Sequence, residues 1–299
     1  MLHRTLTRLW TVLILLASES LWATGPCAEF VPRLPNVRRA LCEAVKLEPS
    51  QARSVQGRTL WMRDVKPAET TFRVLVVGAI HGDELSSAAV ALHWIQMAAQ
   101  AQVPGSPGIY WRFVPVLNPD GVLGRSPTRV NANGVDLNRN FPTENWARDS
   151  KVYWEQGTHR DPRRWPGKLP LSEPESKFLF GELQSFKPNL IVSIHAPFGV
   201  LDFDGPVVPP KKLGSLLLAQ VGIFPGSLGN YGGVQRGVPV VTVELPNALR
   251  TPRDAEIRRM WLDLLRWMDQ RMGVAQRVAA ARKGTYLDNK WVPAAPTAE

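Results

Sequence analysis

Cysteine and histidine are scarce in this chain, which has two cysteines and five histidines in 299 residues. So few cysteines exclude a disulfide-rich scaffold and a zinc site built from several thiolates. Internal repeats and long low-complexity tracts are also missing, apart from a loose Pro/Ala tail from Trp291 to Glu299. With 44% hydrophobic residues, the chain can bury the core of one large α/β domain or two small ones, and one domain is the simplest interpretation.

Acidic residues are fewer than basic ones. The chain has 26 Asp and Glu and 36 Lys and Arg, which gives a formal net charge of +10. Such a charge suits an anionic partner, for example nucleic acid, a membrane surface or a polyanionic cell wall. The arginines are scattered and no basic-aromatic motif accompanies them, so no nucleic-acid partner is predicted. Many of them fall in residues 253–283, where the solvated face of a helix is the simpler interpretation.

Residues 1–23 have the layout of a signal peptide. Basic residues precede the apolar run Leu9–Ala17, and small residues up to Ala23 offer a cleavage site. The run is well short of the roughly 20 residues that a spanning helix needs, so no stable membrane span is expected. We therefore predict a periplasmic or secreted protein.

The two cysteines, Cys27 and Cys42, both follow this segment closely. In an oxidising compartment they can pair and brace the mature N-terminus. Two buried thiols, or the loss of one cysteine with the leader, are equally compatible with the sequence.

Four nearly continuous apolar runs rich in Val and Ile predict buried strands: Phe72–Ile80, Trp111–Leu117, Leu190–Ile194 and Val238–Val243. Helical patterns lie between or after them, at Leu85–Gln100, Glu173–Phe186 and Arg253–Val278. Strands that alternate with helices predict an α/β fold, a mainly parallel mixed sheet flanked by helices on both faces. The segment Thr143–Leu171, rich in Trp, Pro, Gly and Arg, is typical of a long ordered loop near the mouth of a site.

Residues with reactive side chains collect at the ends of the predicted strands. His81 and Glu84 follow the first, Asn118 and Asp120 the second, His195 the third and Glu244 the fourth. In open α/β sheets the crevice outside the carboxyl ends of the strands binds ligands, so all four runs point to one rim.

His81, Glu84 and His195 form a candidate metal set. Two imidazoles and a carboxylate are the ligands of a catalytic zinc ion, which keeps a fourth position open. His-x-x-Glu alone has a simpler interpretation as a solvated turn, and a lone histidine at a strand end as a hydrogen-bonded core residue. Their joint placement at one rim favours one Zn²⁺ per chain.

Glu244 ends an otherwise apolar strand in "VVTVELP", where an ionisable group is costly unless it is paired or functional. It is the candidate general base, with a structural carboxylate as the alternative. In "RVNANGVDLNRNFP", Asn138 and Arg139 offer donors that suit a substrate carboxylate, and Arg129 offers positive charge for an oxyanion. Asp136 is expected to orient a ligand histidine or the loop.

These motifs resemble the zinc metallocarboxypeptidase family of the carboxypeptidase A type. The matching segments are "HGDE" at 81–84, "NPDG" at 118–121, "NANGVDLNRNFP" at 131–142, "SIHAP" at 193–197 and "TVELP" at 242–246. The resemblance implies that His81, Glu84 and His195 bind zinc, and that Glu244 is the general base. It also implies that Arg129 polarises the scissile carbonyl and that Asn138 and Arg139 bind the substrate carboxylate. The catalytic domain is then expected over residues 24–272, with 273–299 as a helix end and tail.

Within that family, "SIHAPFGVLDFDGP" and "GSLGNYGG" are most similar to the murein peptide amidases. That resemblance implies cleavage of the γ-D-glutamyl–meso-diaminopimelate bond of cell-wall peptides. A general metallocarboxypeptidase, an N-acyl amino acid deacylase and a non-catalytic wall-binding protein are the alternatives. Tyr231 is a candidate substrate-binding residue, while Asp202 and Asp204 are either partners for the amino group of diaminopimelate or carboxylates of a loop turn.

Overall fold

The computed structural model describes residues 25–282. Its α-helices are α1 (Pro26–Phe30), α2 (Arg39–Ala44), α3 (Leu85–Ala101), α4 (Pro119–Leu123), α5 (Trp146–Val152), α6 (Pro174–Phe186), α7 (Asp254–Met272) and α8 (Val274–Arg282). Its strands are β1 (Glu48–Arg53), β2 (Thr59–Val65), β3 (Glu69–Val77), β4 (Pro107–Val114), β5 (Leu190–His195), β6 (Val200–Asp204), β7 (Lys212–Leu213), β8 (Leu216–Leu217) and β9 (Val240–Glu244). The predicted signal peptide, residues 1–23, and residues 283–299 of the predicted tail lie outside this description.

Seven strands form one mixed sheet in the order β1-β2-β4-β3-β5-β9-β6. The four central strands, β4, β3, β5 and β9, run parallel to one another. Antiparallel pairs complete the sheet on both sides: β2 pairs with β4, β1 with β2, and β6 with β9. The predicted α/β class with a mainly parallel mixed sheet is confirmed, and the four predicted strands form its parallel centre.

Helices cover both faces because successive side chains of the central strands alternate between two cores. In β3, Val74 and Val76 belong to a core that includes Trp94 of α3 and Trp261 of α7. Leu75 and Val77 belong to a second core, which Leu179 of α6 joins on the other face. The continuous apolar run seen in the sequence is therefore a strand buried on both sides.

Three parts of the architecture differ from the sequence-based prediction. The sequence does not predict the sheet strands β1, β2 and β6 or the short pair β7 and β8; β1 is mostly exposed and polar, and β6 carries two aspartates. The predicted helix Arg253–Val278 is two helices, since Gly273 adopts a φ of 63° and ends α7. Helix α8, assigned in the prediction partly to the tail, packs against β3 and β4.

The N-terminal segment is tied to the domain. Cys27 and Cys42 form a disulfide that links α1 to α2, the first of the alternatives left open by the sequence. Phe30, Leu34 and Val45 are buried in the same core as α3 and α7. Within residues 25–282, none of the helices combines the length and the apolar character that crossing a membrane requires.

Candidate active site

Three parallel strands deliver the candidate residues to one cleft of about 720 Å³ at their carboxyl ends. His81 and Glu84 lie in the short connection between β3 and α3, while His195 and Glu244 are the last residues of β5 and β9. His195 and Glu244 are direct partners in the β5–β9 ladder. The structure therefore places all four side chains at the rim that the sequence predicts.

His81, Glu84 and His195 converge on one point. The Nδ1 atoms of the two histidines are 3.2 Å apart, and Glu84 reaches His81 Nδ1 through Oε1 at 2.8 Å and His195 Nδ1 through Oε2 at 3.1 Å. One ligand atom from each of the three residues lies within 4.8 Å of the others, and all three side chains are buried. No other group of three or more His, Cys, Asp or Glu residues within the described part of the chain is close enough to hold a metal ion.

The outward-facing nitrogen of each histidine has its own partner. His81 Nε2 is 3.1 Å from Asp136 Oδ1, and His195 Nε2 is 2.9 Å from Ser193 Oγ. A proton on Nε2 that is donated to these oxygens leaves the Nδ1 lone pairs facing each other. Asp136 thus occupies the position expected for a residue that orients a ligand histidine.

This donor set fits a zinc ion. Two Nδ1 lone pairs and a carboxylate that meet in a buried space repel one another unless a cation or a proton lies between them. Burial raises the pKa of Glu84, but the charges of His81 and His195 outweigh it and lower that pKa, as a cation at the same point would. The expected set of three ligands is present with its open side toward the cleft.

Arg129 is held beside these residues by its backbone and by its side chain. Its carbonyl accepts hydrogen bonds from Asn118 Nδ2 at 3.2 Å and from the Gly82 N–H at 3.3 Å. Its guanidinium makes two contacts with Asp136 Oδ2, at 3.1 and 3.0 Å, and its Nη1 lies 3.6 Å from Glu84 Oε1. The Asn118 turn therefore fixes a positive charge at the edge of the candidate metal site.

Glu244 has the features of a reactive carboxylate. It is 6% exposed, and its Oε2 is buried with no hydrogen-bond partner among residues 25–282. Burial raises the pKa of Glu244 above its ordinary value, against the opposing effect of His195. A carboxylate with one buried oxygen that lacks a partner is costly at the end of a strand, which favours the functional interpretation of Glu244 over the structural one.

Asn138 and Arg139 present donors on the other side of the cleft. Asn138 Oδ1 accepts from the Leu228 N–H at 2.8 Å, which fixes the amide, and Asn138 lines the cleft. The Arg139 guanidinium lies over the rings of Phe224 and Tyr153, 4.4 and 5.4 Å from their centroids. Burial lowers the pKa of Arg139, and its Nε has no hydrogen-bond partner within the described residues. A buried cation in this state is suited to bind an anion.

Tyr153 and Phe224 are residues of the site that the sequence did not predict. Tyr153 begins a π-helical turn, Tyr153–Gly157, inside the segment expected to be a loop near the mouth. That segment does line the cleft, but it contains α5 and a 3₁₀ helix at Pro162–Arg164 as well. The aromatic and arginine residues of this segment indicated that it lies near the site. The sequence does not indicate which aromatic ring contacts Arg139.

The structure places Tyr231 away from the cleft, which corrects its assignment as a substrate-binding residue. Its ring packs between Phe141 and Phe180 in the second core, and its hydroxyl is 3.0 Å from Gln184 Nε2. Tyr231 lines a smaller, separate cavity. By contrast, Asp202 and Asp204 line the cleft from strand β6, not from a loop turn.

Comparison with known proteins agrees with this geometry. Residues 39–201 match the zinc carboxypeptidase family. The chain is 32% identical over 224 residues to murein peptide amidase A of Vibrio campbellii, covering 72% of this chain and 85% of that one. It is 31% identical over 215 residues to murein peptide amidase A of Escherichia coli K12, covering 67% and 82%.

Solved structures share the fold. Murein-tripeptide amidase MpaA of Escherichia coli O157 superposes with a TM-score of 0.52 at 26% identity, covering 74% of this chain and 92% of that one. Carboxypeptidase A of Helicoverpa armigera superposes with a TM-score of 0.58 at 19% identity, covering 82% and 73%. At 19% identity, the similarity to this second structure shows only that the fold is shared.

Proposed function

This chain belongs to the zinc carboxypeptidase family, and from that membership we propose that it hydrolyses the γ-D-glutamyl–meso-diaminopimelate amide bond of cell-wall peptides. The observation that carries the proposal is the convergence of His81, Glu84 and His195 beside Glu244, whose buried Oε2 has no hydrogen-bond partner within the described residues. Similarity to two murein peptide amidases over two thirds or more of the chain supports the choice of substrate.

In the proposed reaction, His81, Glu84 and His195 hold a zinc ion. Zinc supplies Lewis-acid chemistry, because it polarises a carbonyl and lowers the pKa of a water molecule. Glu244 takes the proton from the attacking water and returns it to the departing amine. Arg129 donates to the oxyanion that develops on the carbonyl oxygen, and Asp136 keeps both Arg129 and His81 in place.

Asn138 and Arg139 are proposed to bind the carboxylate of the terminal residue. The Asn138 amide is fixed by Leu228, and the Arg139 guanidinium is held flat over Phe224. Nη1 of Arg139 donates to the Asn138 carbonyl, whereas its Nε–H has no partner within the described residues and is the donor proposed to bind the carboxylate. Such a contact positions the amide bond of the terminal residue at Glu244 and explains why the enzyme would act on chain ends.

We also propose that the protein works outside the cytoplasm, in the periplasm or in the external medium. The layout of residues 1–23 supports export, and the Cys27–Cys42 disulfide suits an oxidising compartment. A net charge of +10 favours residence near an anionic cell wall.

Mass spectrometry of the products from defined substrates tests the proposed activity. The purified zinc-loaded protein is expected to release diaminopimelate from L-alanyl-γ-D-glutamyl-meso-diaminopimelate faster than it cleaves hippuryl peptides or N-acetyl-aspartate. A preference for hippuryl peptides would instead assign a general carboxypeptidase, and a preference for N-acetyl-aspartate a deacylase. Binding of the muropeptide without hydrolysis and with far less than one zinc per chain would assign a wall-binding protein.

A further inference from the structure

A second cavity, of about 230 Å³, lies toward the amino-terminal ends of β5 and β9, and we refer to it as the amino-end cavity. Ile191, the second residue of β5, lines it, whereas His195 ends the same strand at the candidate metal site. Four positions along a strand span about 13 Å. Within residues 25–282, no residue lines both this cavity and the cleft. The proposed reaction therefore makes no use of it.

Backbone geometry fixes the walls of the amino-end cavity. Helix α6 is followed by Lys187, whose φ of 51° ends the helix and leads the chain into β5. In the opposite wall, the Arg236 N–H donates to the Tyr231 carbonyl at 3.1 Å, and the Val238 N–H donates to the Gly232 carbonyl at 2.9 Å. Both walls are thus held by the main chain, so the cavity is preformed, as small-molecule sites usually are.

The interior of the cavity is mostly apolar. Leu183 and Val238 line it and are partly buried against the second core, and Pro188 and Ile191 are buried in its wall. At about 30 Å³ for each water molecule, the volume corresponds to about eight waters, or to a ligand with a similar number of non-hydrogen atoms. Apolar walls of this kind suit the hydrocarbon part of a small molecule.

The polar side chains of the cavity offer hydrogen-bond donors and positive charge. Lys187 and Arg236 are exposed and line it, and within the described residues neither side chain has an ion pair or a hydrogen bond. The Tyr231 hydroxyl accepts from Gln184 Nε2 at 3.0 Å, and its own proton has no acceptor among residues 25–282. No Asp or Glu of that range lines the cavity. An anion is the group that complements two cations and an O–H donor.

We propose that the amino-end cavity binds a small monocarboxylate with an apolar body. Its carboxylate lies between Lys187 and Arg236 and accepts a hydrogen bond from the Tyr231 hydroxyl. Its hydrocarbon part packs against Leu183 and Ile191. This site is independent of the proposed function, because it shares no described residue with the cleft.

Isoleucine methyl NMR on the full chain locates the binding site. The probe is hexanoate, whose size matches the cavity. Hexanoate is expected to shift the δ1 methyl signal of Ile191, which lines the cavity. The signal of Ile80, which directly precedes the ligand His81, should stay unchanged at the same concentrations. Because a carboxylate also binds to zinc, Ile80 is the internal control for binding at the cleft.

Two analogues separate the charged part of the ligand from its apolar part. Hexanamide keeps the chain and lacks the charge, so it should bind about 10-fold more weakly, since each exposed charge contact is worth up to about 5-fold. Acetate keeps the charge and lacks the methylene chain, so it should bind about 100-fold more weakly if that chain is buried.

The double variant Lys187→Gln, Arg236→Gln is expected to raise the dissociation constant for hexanoate about 10-fold and to leave that for hexanamide within about 2-fold of the wild type. Lys168→Gln, Lys177→Gln is the matched control, because it removes the same charge from two exposed lysines that do not line the cavity. It should bind hexanoate as the wild type does. Circular dichroism of each variant establishes that it is folded.

A shift at Ile80 without one at Ile191 would place the carboxylate at the cleft and overturn the proposal. Equal affinities for hexanoate and hexanamide would do the same, as would a folded Lys187→Gln, Arg236→Gln variant that binds hexanoate as tightly as the wild type. So would the absence of any shift at about 50 mM hexanoate, a concentration above the dissociation constant usual for a ligand of this size.

Discussion

Replacing Glu244 by glutamine separates catalysis from metal binding. The substitution keeps the size and shape of the side chain but removes its negative charge and its ability to accept a proton. Glu244 Oε2 makes no hydrogen bond within the described residues, so no structural contact is lost at that atom. Glu244 is also not one of the three residues whose ligand atoms converge, and the site for the ion stays complete.

The expected cost follows from the role of a general base, which contributes about 10²- to 10⁴-fold to a rate. Glu244→Gln should therefore lower kcat by that factor, an increase in the activation free energy of about 3 to 5 kcal/mol. Stability should not fall, because burial raises the pKa of Glu244 and the ionised carboxylate is already unfavourable at neutral pH.

Three measurements on one preparation test whether Glu244 is the general base. They are kcat on the diaminopimelate tripeptide, zinc per chain by plasma mass spectrometry, and the melting temperature. Glu155→Gln is the matched control, since Glu155 pairs with Arg160 at the surface and should leave all three unchanged. A Glu244→Gln protein that binds zinc as the wild type does and turns over within about 3-fold of it would refute the assignment of the base.

Three other perturbations have defined outcomes. Arg139→Gln should raise KM for the tripeptide about 10-fold or more with a smaller effect on kcat, because a bound carboxylate loses a charged donor; an unchanged KM would contradict this. Asp204→Asn should stabilise the substrate-free protein by up to about 3 kcal/mol above pH 6 and by little near pH 4, since burial raises the pKa of Asp204 from 3.8 to about 6 and penalises only the ionised form; equal urea midpoints at pH 8 would contradict it. Replacing Cys27 and Cys42 by serine should cost about 3 kcal/mol in the free energy of unfolding, as is usual for a loop of this length, and an unchanged melting temperature would contradict it.

The sequence was sufficient for the centre of the sheet and the metal set. Buried parallel strands are continuous apolar runs, and their carboxyl ends share one edge, so His81, Glu84 and His195 were expected to meet without knowledge of any distance. The orientation of the two imidazole rings could not be predicted from the sequence in this way. That Nδ1 faces inward depends on Ser193 and Asp136, whose contacts arise only in the folded chain.

Elements with weak periodic signals were missed for physical reasons. Strand β1 is an exposed edge strand, and β6 alternates apolar residues with Asp202 and Asp204, a pattern that also suits a turn. Tyr231 was misplaced because a glycine-rich motif indicates close packing but not the face of the sheet on which it packs. The structure resolves this, since the segment leads its tyrosine into the second core while Gly229 and Gly233 lie against Asp204.

The central claim is that two imidazoles and one carboxylate, distant along the chain, hold the same zinc ion. Anomalous diffraction at the zinc absorption edge from crystals of the purified protein tests it most directly. The account predicts one strong peak bounded by His81 Nδ1, His195 Nδ1 and the Glu84 carboxylate, at about 2.0 to 2.2 Å from each. A zinc peak elsewhere, or no peak among these three residues in a protein that hydrolyses the tripeptide, would contradict it.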